Sequence, residues 1–331
     1  MRVALTGAGG RLGTALIAAL TDSSFVADLL AWDLPEHNLD DPQSAERLVS
    51  RYRPDIVVHA AAWTDVDGCA RDPVLGLRRN GTAVGEMAES CVRAGAGLVV
   101  VSTNEVFDGA RTDGRPYRPT DVPNPPNPYG TAKLAGEQAA RAAYCATGDD
   151  FAAAAMAPPG ARATKVDETA ADTAVPGLAI VRTAWLFGPP GADFPVKILA
   201  AAEAARISGS TLRLVSDETG CPTYAVDLAA AIVGLVREWG RRPDHRGFGG
   251  IHHVVNAGRA TRAEWAREVL RLAGIDVPTA DVPMSTWPRP STPPAWGVLE
   301  PTPLPTGLLR PWQEATAEYI RLVARRPEAR G

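Results

Sequence analysis

A glycine turn set between an apolar run and a helical pattern constrains this chain more than any other feature. Val3–Thr6 is short, apolar and β-like, Gly7-Ala8-Gly9-Gly10-Arg11-Leu12-Gly13 follows, and an apolar-periodic stretch continues to Leu20. Gly7, Gly10 and Gly13 form GxxGxxG, with glycine where backbone must turn tightly, approach a pyrophosphate and let helix and strand pack closely. Free amides and the dipole at the start of the helix then favour phosphate charge. Asp33 ends the next apolar run, Ala27–Trp32, 20 residues beyond Gly13. An acid there accepts the hydroxyls of an adenosine ribose and favours NAD, whereas Arg11 beside the turn offers a guanidinium to the 2′-phosphate of NADP. A solvated turn residue is the plainer role for Asp33. The reading is a nicotinamide dinucleotide site, with NADPH or NADH left open.

The pattern continues as alternating strands and helices. Gln43–Arg51 is helical, Ile56–Ala60 is a third strand after the turn at Pro54, Val74–Arg93 carries a long helical pattern, and Leu98–Ser102 is a fourth strand. Such alternation predicts an α/β fold with a doubly wound parallel sheet (Rossmann). Residues 109–128 are a loop ending at Asn127-Pro128, an N-cap followed by a proline in the first helical turn. The helix it opens contains Tyr129, Lys133 and Glu137. Residues 147–176 shift to Ala, Gly, Pro, Asp and Thr and read as a mobile insertion, with a short alanine helix as the alternative. Leu178–Arg182 resumes the sheet, and helices at Ala225–Trp239 and Arg262–Ala273 flank a strand at Ile251–Val255. The proline-dense stretch from Pro278 to Pro311, with Trp287, Trp296 and Trp312, reads as ordered loops packed onto a domain. The expected division gives 1–183 and about 224–257 to the dinucleotide-binding domain. A smaller, mainly C-terminal substrate-binding domain takes about 184–223 and 258–331.

Composition narrows the function class. The chain has 331 residues, a formal charge of −4 and 45% hydrophobic residues, much of that alanine. The acidic balance argues against nucleic acid as the main partner. No apolar run reaches the roughly 18–20 residues of a membrane span. Met1–Thr6 runs straight into the glycine turn, too short an apolar core for a secretory signal. Cys69, Cys91, Cys145 and Cys221 are scattered without a CxxC, so neither zinc nor a disulfide framework is indicated. The expectation is a soluble cytoplasmic protein. Of 34 basic residues only Lys133, Lys165 and Lys197 are lysine. Base composition accounts for that bias at Lys165 and Lys197, whereas Lys133, four residues after Tyr129, has a chemical task that an arginine fork fits less well.

Tyr129-Gly130-Thr131-Ala132-Lys133 is YxxxK near the start of a helix, and its i,i+4 spacing puts phenol and ammonium on one face. A tyrosine near pKa 10 is a poor acid–base catalyst at neutral pH. A lysine beside it favours phenolate and lowers that value. Val101-Ser102-Thr103 ends the fourth strand and brings a hydroxyl to the carboxyl edge, where ligands of such sheets bind. A surface helix pair is the bland alternative for YxxxK, and position downstream of a cofactor turn weighs against it.

Glycine turn, strand-end hydroxyl and YxxxK, in that order, resemble the extended short-chain dehydrogenase/reductase family, and within it the dTDP-4-dehydrorhamnose reductases. The finer resemblance rests on Ala60–Asp67 (AAAWTDVD), Ser102–Gly109 (STNEVFDG), Tyr129–Glu137 (YGTAKLAGE), Val181–Gly188 (VRTAWLFG) and Asp217–Thr223 (DETGCPT). It continues through Ile251–Gly258 (IHHVVNAG) and Trp287–Pro290 (WPRP), nearly the whole chain apart from the insertion. The resemblance implies transfer of a hydride from NADPH or NADH to C4 of a 4-keto-6-deoxyhexose on a nucleoside diphosphate, most readily dTDP. It implies catalytic roles for Tyr129 as acid, Lys133 as holder of the nicotinamide ribose, and Thr103 on the substrate oxygen. The implied cofactor contacts are Gly7, Gly9, Gly10, Arg11, Leu12, Gly13, Asp33, Asp40, Ala60, Ala61 and Ala62, besides Tyr129 and Lys133. Asn104, Glu105, Trp185 and Arg289 join Thr103 as implied substrate contacts. For Trp185 an ordinary core role competes.

Three departures stand out. The family's usual Ser-Thr-Asp-Tyr is Ser102-Thr103-Asn104-Glu105 here, which removes one charge and sets a carboxylate where a phenol is expected. Pro293 and Gly297 stand where the late motif normally has arginine and serine, and Arg289 is the nearby substitute. Some relatives bind magnesium at a dimer interface through a glutamate in the first helix; Ala15 stands there, and no metal site is predicted. His252-His253 in a strand point to opposite faces, against a shared metal. Asp65 and Asp67, expected in a loop after the third strand, are the only hint of a paired-carboxylate hydrolase. Two further readings share the motifs: an epimerase or dehydratase that retains NAD through turnover, and a non-catalytic regulatory subunit such as the partner of methionine adenosyltransferase. The assembly expected is a monomer or homodimer.

Overall fold

Apolar side chains of successive strands alternate between two buried layers. Val3, Leu5, Ile56, Val58, Val99, Ala179 and Val181 face one layer; Ala4, Val57, Leu98, Val100, Leu178 and Ile180 face the other. Strands buried on both faces belong to the middle of a sandwich with helices outside. The computed structural model, which describes residues 1–146, 177–241 and 249–324, has this architecture. Its main sheet contains β1 (Arg2–Thr6), β2 (Asp28–Trp32), β3 (Ile56–His59), β4 (Gly97–Thr103), β5 (Leu178–Thr183) and the Gly250–His253 strand. All pairings are parallel, in the order Gly250–His253, β5, β4, β3, β1, β2. Val3 of β1 lies between Leu29 and Ile56, so the winding direction reverses between β1 and β3. A crevice opens at the carboxyl ends of strands where the order reverses.

Among the described residues, the α-helices preceding β5 are α1 (Arg11–Thr21), α2 (Ser44–Tyr52), α3 (Val66–Arg71), α4 (Pro73–Leu77), α5 (Ala83–Ala94) and α6 (Pro128–Cys145). Leu12, Leu16 and Leu20 of α1 cover one face together with Leu228, Ile232, Leu235 and Trp239 of the Ala225–Arg241 helix. α2, α5 and α6 cover the other through Leu48, Val84, Met87, Ala140 and Tyr144. Helix α6 starts as its sequence predicts, the Asn127 side chain accepting a hydrogen bond from the Gly130 amide at 2.9 Å with Pro128 in the first turn. The long helical pattern at Val74–Arg93 is broken by a π-turn at Arg78–Thr82. Asn80 in that turn brackets the Trp63 backbone, accepting from its amide at 2.8 Å and donating to its carbonyl at 2.9 Å. Residues 60–65 after β3 are a loop, whose last residue, Asp65, caps the short helix α3 through the Gly68 amide; Asp67 lies within that helix and not in the loop.

Residues after Thr183 build a second apolar cluster away from the sheet. Phe187, Tyr224, Trp265, Trp312 and Tyr319 are buried there. They come from short strand pairs and from helices at Arg262–Ala273 and Trp312–Ala324. The Phe194–Ser208 and Trp312–Ala324 helices add to the elements that periodicity predicts. Within the proline-dense stretch, Trp296 Nε1 donates to the Arg115 carbonyl at 2.9 Å, while Trp287 is 42% exposed. The expected insertion at 147–176, with Lys165, lies outside the described residues. No helix among the described residues is long and apolar enough to cross a membrane.

One buried ion pair ties α6 to the sheet. Glu137 of α6 and Arg182 of β5 meet at 2.6 Å with both side chains 2% exposed, and Ser102 Oγ donates to Glu137 Oε1 at 2.5 Å. Arg182 also lies over the Phe107 ring, 5.1 Å from its centroid. Removing one partner of such a pair leaves an uncompensated buried charge, at a cost of about 3–5 kcal/mol. Arg182→Met is therefore expected to lower the unfolding free energy in urea by that amount, and adding Glu137→Leu to recover much of it. An unchanged urea midpoint in the single variant would mean the pair contributes nothing to stability.

Candidate active site

The crevice at the sheet's switch point is a cavity of about 690 Å³ whose floor is the glycine turn. Gly7 has φ +68°, and a Cβ there would stand 2.8 Å from both Cα and N of Ala61. Thr6 draws the same segment in, its hydroxyl accepting from the Ala61 amide at 3.1 Å. A Cβ on Gly13 would fall 2.1 Å from the Gly7 carbonyl oxygen, so only glycine lets α1 start this close to β1. Gly10 caps α1 without a side-chain bond, and the first turn carries no acid. The leading amides of α1 are thus left for an anion, the arrangement that takes a pyrophosphate. This donor set fits a dinucleotide.

Gly7, Gly10, Arg11, Leu12, Gly13, Asp33, Asp40 and Ala60–Ala62 all line the cavity; Gly9 does not, and its amide is bound by Asp33 Oδ2. Asp33 Oδ1 accepts from the Leu34 amide at 2.8 Å, so both carboxylate oxygens brace the turn as well as facing the cavity. Arg11 is partly committed elsewhere: Nε donates to the Gly188 carbonyl at 2.6 Å and Nη2 to that of Pro190 at 3.4 Å. Asp40 forms a bidentate pair with Arg79 at 2.6 and 2.9 Å, and that hydrogen-bonded guanidinium holds its carboxyl below the usual carboxylate range.

Tyr129 and Lys133 of α6 and Thr103 at the end of β4 share one wall of the cavity. Lys133 is buried, and its Nζ donates to the Val101 carbonyl at 2.7 Å. Burial pushes its pKa down to about 8, with Glu137 opposing. Tyr129 differs from the sequence-based expectation of a lowered pKa. Burial, then the Glu105 and Cys69 charges, raise it, and only a hydrogen bond with Thr103 pulls the other way. The physical reason is that Lys133 turns its ammonium to a backbone carbonyl, and desolvation of the phenol dominates. The phenol is protonated at neutral pH, as a free tyrosine is, and the raised pKa makes it a weaker acid than a free tyrosine. Below this wall His59 is buried, hydrogen-bonded to Thr6 Oγ1 at 3.0 Å, and kept neutral by desolvation and then by Lys133, its pKa pushed down to about 3.

Asn104, Glu105 and Trp185 line the same cavity, the first two directly after Thr103. Trp185 also packs against the aromatic cluster, its ring stacked on Trp265; its backbone is at φ +42°, and the Arg262 guanidinium lies 3.6 Å from the ring centroid. Arg262 also lines the cavity and donates to Glu218 Oε1 at 2.8 and 3.1 Å. Arg289 is not on the cavity wall; it pairs with Asp67 at 3.0 Å on a half-exposed surface. That pairing and the capping role of Asp65 also account for the two aspartates without a paired-carboxylate site. His253 is buried against the Tyr117 carbonyl at 3.1 Å, and no group of His, Cys, Asp or Glu among the described residues is arranged to hold a metal. Reasoning from sequence misses Arg262, Asn80, His59 and the Glu137–Arg182 pair. Only Glu137, four residues beyond Lys133, is placed by a visible spacing.

The family model of the RmlD substrate binding domain matches residues 1–147 and 154–325. The chain is 33% identical over 327 residues to a dTDP-4-dehydrorhamnose reductase of Mycobacterium tuberculosis, covering 96% of this chain and 92% of that one. It is 34% identical over 321 residues to a dTDP-4-keto-6-deoxy-D-glucose reductase of Streptomyces niveus, with the same coverage of 96% and 92%. The crystal structure of the Bacillus anthracis dTDP-4-dehydrorhamnose reductase in complex with NADP superimposes with a TM-score of 0.77 at 25% identity, covering 97% of this chain and 99% of that one.

The lowered Lys133 pKa has a measurable consequence. Its ammonium is present below about 8 and lost above it. Dinucleotide affinity, read from nicotinamide fluorescence, is expected to fall as pH rises through that value, by up to about tenfold per pH unit. Lys133→Met should bind more weakly and lose this dependence; a flat wild-type profile would mean the ammonium does not touch the dinucleotide.

Proposed function

The chain belongs to the dTDP-4-dehydrorhamnose reductase family, and from that premise we propose that it reduces the C4 keto group of a dTDP-linked 4-keto-6-deoxyhexose. It is an NAD(P)-dependent oxidoreductase of deoxysugar biosynthesis. The observation that carries the proposal is the meeting of Tyr129, Lys133 and Thr103 on one wall of the cavity that the glycine turn floors. The dinucleotide, when bound, supplies the hydride.

The protein's own groups handle the proton. Tyr129, protonated at neutral pH, donates to the oxygen that becomes the C4 hydroxyl. Thr103 hydrogen-bonds the same oxygen and, once the proton has left, the phenolate. Lys133 adds positive charge four residues along the same helix face and holds the nicotinamide ribose. Gly7, Gly10, Arg11, Leu12 and Gly13 present backbone to the pyrophosphate, Ala60–Ala62 lie along the dinucleotide, and Asp33 faces the adenosine ribose. Asn104, Glu105, Trp185 and Arg262 face the sugar nucleotide. Residues 1–183 with about 224–257 serve the dinucleotide, and about 184–223 with 258–331 serve the sugar. The separate aromatic cluster around Phe187 and Trp265 supports that division.

The test mixes purified protein with NADPH or NADH and a panel of 4-keto-6-deoxy sugar nucleotides. Reduced nicotinamide absorbance should fall in proportion to sugar reduced. Tyr129→Phe, which removes the acid, should lower the rate by on the order of 10²–10⁴-fold. No absorbance loss with any member of the panel would overturn the proposal.

A further inference from the structure

Two of the places at which this chain departs from its family's motifs, Asn104-Glu105 and Pro293 to Gly297, are far apart in sequence and adjacent in space. A Cβ on Gly297 would lie 2.3 Å from Asn104 Nδ2, so the Asn104 amide occupies the room a side chain at 297 would need. Next to it, Glu105 Oε2 accepts from Asn127 Nδ2 at 2.7 Å. The same Asn127 nitrogen donates to the Thr292 carbonyl at 3.0 Å, beside Pro293, and Asn127 Oδ1 caps α6 through Gly130. One asparagine therefore links the Glu105 carboxylate, the late proline-rich segment and the first turn of the helix that carries Tyr129.

Glu105 is built into the cavity wall and does not lie on the surface. Glu105 lines the cavity with Tyr129, Thr103 and Arg262. Tyr129, Cys69, Glu218, Arg262 and Arg289 are the charged and titratable groups it faces from neighbouring elements. Oε2 is fixed by Asn127, and Oε1 has no hydrogen-bond partner among the described residues. Burial raises the Glu105 pKa, with the Asn127 hydrogen bond opposing; when ionised, the carboxylate pinned at one oxygen accepts at the other, whereas a phenol at this position can donate or accept.

We infer that Glu105 reads the substituent on C3 of the sugar, accepting a hydrogen bond from a hydroxyl or an ammonium there. The inference rests on the ketoreductase reading above. With Tyr129 at the C4 oxygen, a group beside Tyr129 meets only the carbons flanking C4. In a 6-deoxyhexose the C5 flank ends in a methyl group, which leaves the C3 substituent as the donor. The Asn127 bridge holds the carboxylate in place at the cavity.

The experiment compares kcat/KM of the full chain on dTDP-4-keto-6-deoxyhexoses bearing 3-hydroxyl, 3-amino or no 3-substituent. Glu105→Gln accepts from Asn127 through its carbonyl oxygen and turns its NH₂ to the cavity, which reverses the polarity offered to C3. The preference for the better of the 3-hydroxy and 3-amino substrates over the 3-deoxy one should then fall by about tenfold or more, because a hydrogen bond to a charged acceptor is lost. The larger effect on the hydroxyl or on the amine identifies the natural donor. Glu105→Tyr, which installs the family's usual residue, should lower the same ratio, and unchanged NADPH affinity in both variants reports an intact fold. Equal losses on all three substrates, or no loss, would overturn the inference while leaving the reductase reading in place. Failure of the wild type to turn over any of the three would overturn both.

Discussion

Tyr129, Lys133 and Glu137 stand four residues apart on one face of α6, and the last of them governs where the first two sit. Glu137 is buried against Arg182 of β5 and bonded to Ser102 of β4. One turn nearer the N-terminus, Lys133 is bonded to the Val101 carbonyl of β4. Two adjacent turns of the helix are thus fastened to the strand that ends in Thr103. A well-packed apolar pair could give comparable stability, as buried ion pairs are often nearly neutral against hydrophobic replacements. Direction is the difference: hydrogen bonds to specific atoms fix the rotation and slide of α6, which packing alone leaves looser. Tyr129 and Thr103 inherit their mutual position from that fastening.

The other half of the site is set by close approach and not by charge. Gly7 and Gly13 let β1, α1 and the Ala60–Ala62 segment come within distances no Cβ tolerates. The crevice at the switch point is narrow at its floor for that reason, with the uncapped start of α1 turned into it. A bound dinucleotide would run from these amides to the α6 wall, placing its reactive end beside a buried phenol whose proton is held tightly. The acidic net charge of the chain is no obstacle, since the positive potential the ligand needs comes from helix amides, Lys133 and Arg262.

Features that depend on neighbours along the chain are legible in the sequence itself. The glycine spacing, the Asn127 cap and the alternation of apolar strands and periodic helices fall in this class. So does the helix at Arg262–Ala273, whose bounds the apolar pattern matches. Features that depend on partners distant in sequence are not legible there. Nothing in the stretch around Arg289 shows that Asp67 takes its charge, and nothing near residue 262 shows a guanidinium stacked on Trp185. The π-turn at Arg78–Thr82 hides inside a continuous helical pattern, because one residue inserted into a turn barely alters its periodicity. The Tyr129 pKa runs against expectation for a related cause: spacing shows that a lysine is near, but burial and the direction of its ammonium decide which effect wins.

The central claim is that this site passes a hydride outward from a reduced nicotinamide to C4 of a sugar, with Tyr129 supplying the proton. Cofactor deuterated at the transferred position of nicotinamide C4, incubated with a dTDP-4-keto-6-deoxyhexose, tests it most directly. The account predicts one deuterium at C4 of the product for each cofactor oxidised, read by mass spectrometry and NMR. A product without deuterium at C4, formed with no net cofactor oxidation, would contradict it and would point to chemistry in which the dinucleotide is retained and returned to its starting state.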